Sequence, residues 1–282
     1  MLSYSLALRC RNRLGIVAAV AGAIASQGGD IAEAAQFDDA RTGSFFMRIR
    51  FQLPEERLAA FRAAFAQPAE AFDLDWTLRP ADEKRKVLLA VSGFDHCLVD
   101  LLYRMKLGEL NMECVGVVSN HPRELLKTEL PDGVPYHHLP VTPATKARQE
   151  QSIVDLIESS GAELTVLARY MQILSDDLSR YLSGRCINIH HSFLPSFKGA
   201  RPYHQAHERG VKLIGATAHY VTSDLDEGPI IAQDVEPVTH ADTPDDLIRK
   251  GRDIERRVLG RAVALHLQDR VMINGGKTVV FG

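Results

Sequence analysis

A chain of 282 residues has the length of one large or two medium domains. Its 45% apolar and 24% charged residues are ordinary for a globular protein, and a net charge of −3 with a pI near 6.4 excludes a global basic footprint for nucleic acid. Four scattered cysteines (Cys10, Cys97, Cys114, Cys186), with no C-x-x-C pair, read as small buried hydrophobes of a reducing, cytoplasmic compartment rather than a disulfide frame or zinc site.

The first elements alternate quickly. "SYSLALRC" has strand periodicity, and Ile16 to Ser26 has helical spacing, with Ile16, Val17, Val20 and Ile24 on one face and Gly28-Gly29 as the stop. Arg9, Arg11 and Arg13 before "LGIVAAVAGAIASQ" imitate a secretion signal. That apolar run is too short to span a membrane, and its helical spacing favours a folded helix. "IAEAAQF" and "GSFFMRIRF" are strands separated by the turn "DDARTG". Pro54 to Ala66 is expected as a helix presenting Leu58, Phe61 and Phe65, and "FDLDWTL" as the closing strand. The order βαββαβ is that of the ferredoxin-like split unit. "RPADEKRK" then supplies a charged linker.

From residue 86 strands alternate with longer helices, which predicts a Rossmann-like, mostly parallel sheet covered on both faces. "VLLAVS" precedes a helix over "HCLVDLLYRMKLG", "MECVGVVS" precedes one near "RELLKTEL", and "QEQSIVDLIESSG" precedes the strand "LTVLA". "CINI" is the next strand, and "LIGATAHYV" with "PIIAQDVEP" forms a hairpin pair. Thr243 caps a closing helix, with Pro244 at its first position and Asp245 and Asp246 in its first turn. The expected domains are therefore 1–79 and 86–282, joined by a linker at 80–85.

Two polar clusters interrupt this apolar pattern. "CINIHHSFLPSFKGARPYHQA" places Asn188 and His190 at the end of a buried strand, before a loop punctuated by Pro195, Gly199 and Pro202. In open α/β sheets, ligands bind outside the carboxyl ends of strands. "GATAHYVTSDLDEGPII" delivers His219 and then Asp224 and Asp226. An acidic turn alone would need no explanation. Asn, His and Asp on neighbouring loops, however, make a neutral donor, a proton shuttle and a carboxylate, the set needed for acyl or formyl transfer.

These segments, with "LARYMQIL", resemble the formyltransferase-fold family that uses 10-formyltetrahydrofolate, and the front domain is similar to an ACT domain. The resemblance implies a catalytic triad of Asn188, His190 and Asp226. It implies a pterin site formed by Arg169, Met171, Gln172, Ile173 and Leu174 on one side and Val221, Ser223 and Asp224 on the other. The formyl group is an amide on the folate N10: Asn188 would polarise its oxygen, His190 would protonate N10, and Asp226 would stabilise the imidazolium and activate water. Folate is then the substrate, no further cofactor is required, and formate is released for one-carbon balance and purine synthesis. Members that transfer the formyl group to glycinamide ribonucleotide need a small-residue phosphate loop after the first strand. Here Phe94, Asp95 and His96 follow Gly93 in "SGFDHCL", the form of the family's deformylase branch, so water is the expected acceptor. Transfer to that nucleotide is the alternative, and an inert folate or amino-acid sensor is the alternative from another class.

The ACT resemblance implies an amino-acid effector at the loop Asn12, Gly15 and Ile16. The loop departs from the family pattern at Arg11-Asn12 and at Asp30. Domains of this type often pair, so a homo-oligomer is expected; neither nucleic acid nor membrane is. His191 stands where the transferases usually carry proline, and the sequence suggests only hydrogen bonding in the first turn for it. Adjacent histidines of an extended segment point opposite ways, so His190 and His191 are not expected to share a metal, and no metal site is expected.

Overall fold

The computed structural model describes residues 1–192 and 202–282; the loop punctuated by Pro195 and Gly199 lies outside them. The chain divides into two compact units. The first is Met1–Glu83 with Gln268–Met272 and Val279–Gly282, and the second is Lys84–Leu267 with Ile273–Thr278.

The first unit contains β1 (Leu2–Arg11), α1 (Ile16–Ser26), β2 (Asp30–Asp39), β3 (Ser44–Leu53), a 3₁₀ turn (Glu55–Arg57), α2 (Leu58–Phe72) and β4 (Asp75–Pro80). Its sheet has the order β2-β3-β1-β4 and is antiparallel throughout. Tyr4, Leu6 and Leu8 alternate inward from β1 to meet Ile16, Val20 and Ile24 of α1 and Phe61 and Phe65 of α2. Periods of two and of three to four residues thus aim at one core. The second helix does not stop at Ala66. It continues through Pro68 to Phe72: Pro68 is buried, and Ala69 and Phe72 pack on that core, burial that outweighs the hydrogen bond proline removes.

The C-terminal segments, expected in the second domain, group with the first unit. Val279 and Phe281 cover Phe46 on the other face of β3. The buried Arg48 donates to the Gln268 carbonyl (2.9 Å) and pairs with Glu33 (3.2 Å), which Arg270 also grips (2.9 Å).

The second unit runs β5 (Arg85–Val91), α3 (His96–Lys106), β6 (Met112–Ser119), β7 (Tyr136–His138), α4 (Lys146–Ser160), β8 (Leu164–Leu167), α5 (Asp176–Tyr181), β9 (Cys186–His190), α6 (Pro202–Arg209), β10 (Leu213–Tyr220), β11 (Ile230–Pro237) and α7 (Pro244–Leu267). A last hairpin, β12 (Val271–Asn274) and β13 (Lys277–Val280), has residues in both units. The seven-stranded sheet has the order β11-β10-β9-β8-β5-β6-β7. Strands β5 to β9 are parallel, and β10 and β11 extend the sheet antiparallel at one edge. This is an α/β domain with a mostly parallel sheet. Leu88 and Ala90 face the core shared with α4 and α5, while Val87, Leu89 and Val91, also buried, alternate to the opposite face.

The helix expected near "RELLKTEL" is only a 3₁₀ turn over Arg123–Leu125. Competing side chains take its backbone groups. Arg123 donates to the carbonyls of Leu126 (3.2 Å) and Thr128 (2.6 Å), and Asp95 accepts from the N–H of Lys127 (2.9 Å) and Thr128 (3.2 Å). At α7 the expected cap forms reciprocally: Asp246 N–H donates to Thr243 Oγ1 (3.2 Å) and Thr243 N–H donates back to Asp246 Oδ2 (3.0 Å). Among the described residues no helix is long and apolar enough to cross a membrane, and the four cysteines are free.

Candidate functional site

The site opens at the carboxyl end of β9, where the parallel strands give way to the antiparallel edge. Asn188 lies directly across from His219 of β10, so their side chains share a face. Asn188 Nδ2 is 3.3 Å from His219 Nε2, and His219 Nδ1 is 2.9 Å from the Tyr220 carbonyl. A carbonyl only accepts, so Nδ1 carries the proton of His219 and Nε2 is the lone pair that receives the Asn188 N–H. This chain fixes the amide orientation of Asn188. The β10–β11 register shifts between Ala218 and His219, an irregularity of the kind that re-aims side chains next to active sites.

The loop after β10 brings Asp226 back, with left-handed backbone (φ 59°). Its carboxylate lies 3.2 Å from His190 Nδ1 and 3.7 Å from His219 Nε2. Burial pushes the Asp226 carboxyl up, yet the hydrogen bond and positive charge offered by His190 outweigh it and hold it well below the usual range. The shorter contact makes His190 the partner that matters.

A cleft of about 190 Å³ lies over these groups. Asn188, His190 and Asp226 border it together, as do Arg169, Met171, Gln172, Ile173 and Leu174 on one side and Val221, Ser223 and Asp224 on the other. The 169–174 segment is held from beneath: Met171 N–H donates to Ser92 Oγ (2.9 Å), Ser92 N–H to the Arg169 carbonyl (3.2 Å), and Gln149 to Tyr170 Oη (2.7 Å). This anchoring leaves the apolar side chains of Met171 (54%) and Ile173 (61%) exposed, and Leu225 (58%) stands exposed in the facing loop, a lining suited to a flat aromatic group.

The guanidinium of Arg169, also on left-handed backbone (φ 65°), engages groups the sequence did not connect to it. Its Nε is 3.3 Å from Glu255 of α7, a carboxylate only 1% exposed, and its Nη1 is 2.9 Å from His191 Nδ1. Glu255 also takes His96 (2.8 Å) and the Tyr203 hydroxyl (2.7 Å). Burial pushes the Glu255 carboxyl up, but His96, Arg169 and Tyr203 reverse the shift and hold it low. Burial, Arg169 and His190 push His191 down to about 4. Contrary to the expectation of opposed histidines, the His190 and His191 rings stack, with centroids 4.9 Å apart and planes at 21°. The strand ends at His190, so strict alternation no longer governs the next residue.

His96, Cys97 and Glu255 offer ligand atoms within 4.8 Å of one another, the one such cluster among the described residues. The Arg169 guanidinium already balances the carboxylate there, which makes it a poor cation site. Sequence reasoning left His219 and Glu255 without a role, since a buried histidine or a helix glutamate carries no local signal of its partner.

In the first unit, Asn12 is tied to Asp38 (2.6 Å), Gly15 starts α1 in left-handed backbone (φ 95°), and Ile16 is buried in the core.

Residues 85–263 match the formyl transferase family. The chain is 52% identical to a formyltetrahydrofolate deformylase of Corynebacterium sp. (strain P-1) over 98% of this chain and 97% of that one. It superposes on the crystal structure of a formyltetrahydrofolate deformylase from Burkholderia mallei with a TM-score of 0.95 and 50% identity, covering 100% of each chain. Similarity to glycinamide ribonucleotide transformylase 1 from Symbiobacterium toebii is looser, with a TM-score of 0.62 and 28% identity over 71% of this chain and 95% of that one.

Proposed function

The chain belongs to the formyl transferase family and, by nearly full-length identity, to its formyltetrahydrofolate deformylases, and from this premise we propose that it hydrolyses 10-formyltetrahydrofolate to formate and tetrahydrofolate. The observation that carries the reading is the convergence of Asn188, His190 and Asp226 on one cleft, with His190 Nδ1 3.2 Å from Asp226.

Asn188, its amide oriented by His219, keeps its second N–H for the formyl oxygen, which becomes negative as water adds. Removing such a donor costs about 10²–10³ in kcat. His190, supported on Nδ1 by the ionised Asp226, gives the proton that N10 needs to leave, and Asp226 orders the water. General acid–base help of this kind contributes about 10²–10⁴. The pterin fits between the 169–174 segment and the 221–226 loop, against Met171, Ile173 and Leu225. No step of this scheme calls on a metal.

Water as the acceptor has its own support. Phe94 is half-exposed at the turn after β5, and the Asp95 carboxylate already occupies the N–H groups of Lys127 and Thr128. A carboxylate and a phenyl ring disfavour a phosphate there. In the first unit, the βαββαβ sheet supports an ACT-like regulatory domain that assembles the chain into a homo-oligomer. With Ile16 buried and Asn12 bound to Asp38, an amino acid would meet the backbone around Gly15 rather than these side chains.

The test mixes protein with 10-formyltetrahydrofolate and no acceptor, and measures formate and tetrahydrofolate together. Equal amounts of both, lost in Asp226→Asn, are expected. Formyl transfer that begins only when glycinamide ribonucleotide is added would overturn the reading in favour of a transferase.

A further inference from the structure

His191 is the cleft residue that the proposed chemistry leaves unused. Its Nδ1 faces Arg169 Nη1 at 2.9 Å. A guanidinium only donates, so Nδ1 is the lone pair and the ring proton is on Nε2. Arg169 cannot turn away cheaply, because its Nε is 3.3 Å from the buried Glu255, itself gripped by His96 and Tyr203. Tyr203 is kept close by Gly251: a Cβ there would sit 2.1 Å from its hydroxyl. Four side chains from α3, α6, α7 and the 169–174 segment therefore set the tautomer of one imidazole. That imidazole stacks on His190 and borders the cleft, and its Nε2 has no partner among the described residues. The charged and titratable groups around it are Arg169, Glu255, His190 and Asp226.

We propose that His191 is a further catalytic residue of this site: locked by Arg169 and Glu255 as the neutral tautomer with its proton on Nε2, it donates that N–H to the oxygen that turns negative when water adds to the formyl carbon. The inference rests on the hydrolytic reading above. It separates two tasks between two stacked rings. His190, paired with Asp226, moves a proton; His191 donates a hydrogen bond without ever giving its proton up, so it does not compete for the proton that N10 receives. A neutral donor beside Asn188 suits an oxyanion, because it stabilises developing charge without binding a ground-state anion.

The test compares His191→Phe, which keeps a ring to stack on His190 but has no N–H, with His191→Gln, which restores an amide donor. Formate release by the unaltered enzyme is the control: if that fails, the hydrolytic reading falls rather than this one. With an active control, His191→Phe is expected to lose about 10²-fold in kcat with KM little changed, and His191→Gln to recover part of that loss. Full kcat in His191→Phe, or a change confined to KM, would overturn the proposal. Nitrogen NMR of ¹⁵N-histidine-labelled, otherwise unaltered protein tests it without relying on a variant that folds. One histidine, assigned by its absence from the His191→Gln spectrum or by its coupling to His190, should carry its proton on Nε2 and stay neutral across neutral pH. A proton on Nδ1 of that residue overturns the proposal equally.

Discussion

Gly228 is the residue whose replacement tests the site geometry most sharply. It lies two residues after Asp226 where the loop returns against β10. A Cβ built there falls 1.7 Å from the Tyr220 carbonyl oxygen, 2.9 Å from its carbon and 3.1 Å from His219 Nδ1, whereas real Cβ contacts do not fall below 3.0 Å. The obstacle is backbone, so in Gly228→Ala the loop and the strand must part by more than about 1 Å, a displacement that costs about 10²-fold when reacting groups are misplaced. The oxygen struck is the one that receives His219 Nδ1 at 2.9 Å, and the adjoining contact, Tyr220 N–H to the Pro229 carbonyl, is also 2.9 Å. One methyl group thus disturbs both the anchor that orients Asn188 and the loop that carries Asp226. We expect kcat for formate release to fall by about 10²-fold and stability by about 1–3 kcal/mol. Steady-state kinetics at saturating substrate and thermal unfolding by circular dichroism measure the two effects. Gly276, with nothing within 4 Å of its added Cβ, serves as control. Unchanged kcat in a folded Gly228→Ala protein would refute the inference that this close approach positions Asp226.

Three other outcomes are expected. Gly22→Ala, in the exposed interior of α1 with open space around the new methyl, should raise unfolding free energy by about 0.5–1 kcal/mol; a decrease in a urea melt would contradict it. The Thr243 backbone N–H and, after it, the Thr243 hydroxyl hold the Asp246 carboxyl down to about 2; Thr243→Ala keeps the N–H but removes the hydroxyl, which is also the acceptor of the Asp246 N–H. A loss of about 1 kcal/mol with unchanged kcat is expected in the same assay. The third concerns pH. The His191 pKa falls from 6.5 to about 4 in the fold, so the unfolded chain binds a proton between these values that the folded chain does not, and stability must fall as pH falls through this window. Each pH unit there costs about 1.4 kcal/mol, about 3 kcal/mol over the whole window. Urea melts between pH 6.5 and 4 should show a shallower decline for His191→Asn than for the unaltered protein, and parallel declines would contradict the assignment.

What could be read in the amino-acid sequence is what local periodicity encodes. Alternation in "SYSLALRC" and helical spacing at Ile16, Val20 and Ile24 specify their elements, because each needs only its own neighbours to bury one face. The end of an apolar strand marked by Asn188 and His190, and the acidic turn carrying Asp226, were visible for the same reason: polar groups interrupt an otherwise continuous pattern. Long-range partners left no such trace. Pro68 argues for a break until it is seen to be buried, with Ala69 and Phe72 after it packed on the core. "RELLKTEL" argues for a helix until Asp95 and the Arg123 side chain claim its backbone. Val279 and Phe281 could not be assigned to Phe46, more than 230 positions earlier. The pairing of His219 with Asn188 depends on the register of β9 against β10, and Arg169 meets Glu255 only because α7 packs its buried carboxylate beneath the 169–174 segment. Sequence thus determined which chemistry the chain carries. Only the tertiary structure decided which tautomers and orientations that chemistry has, because a hydrogen bond is set by distance in space and not by distance along the chain.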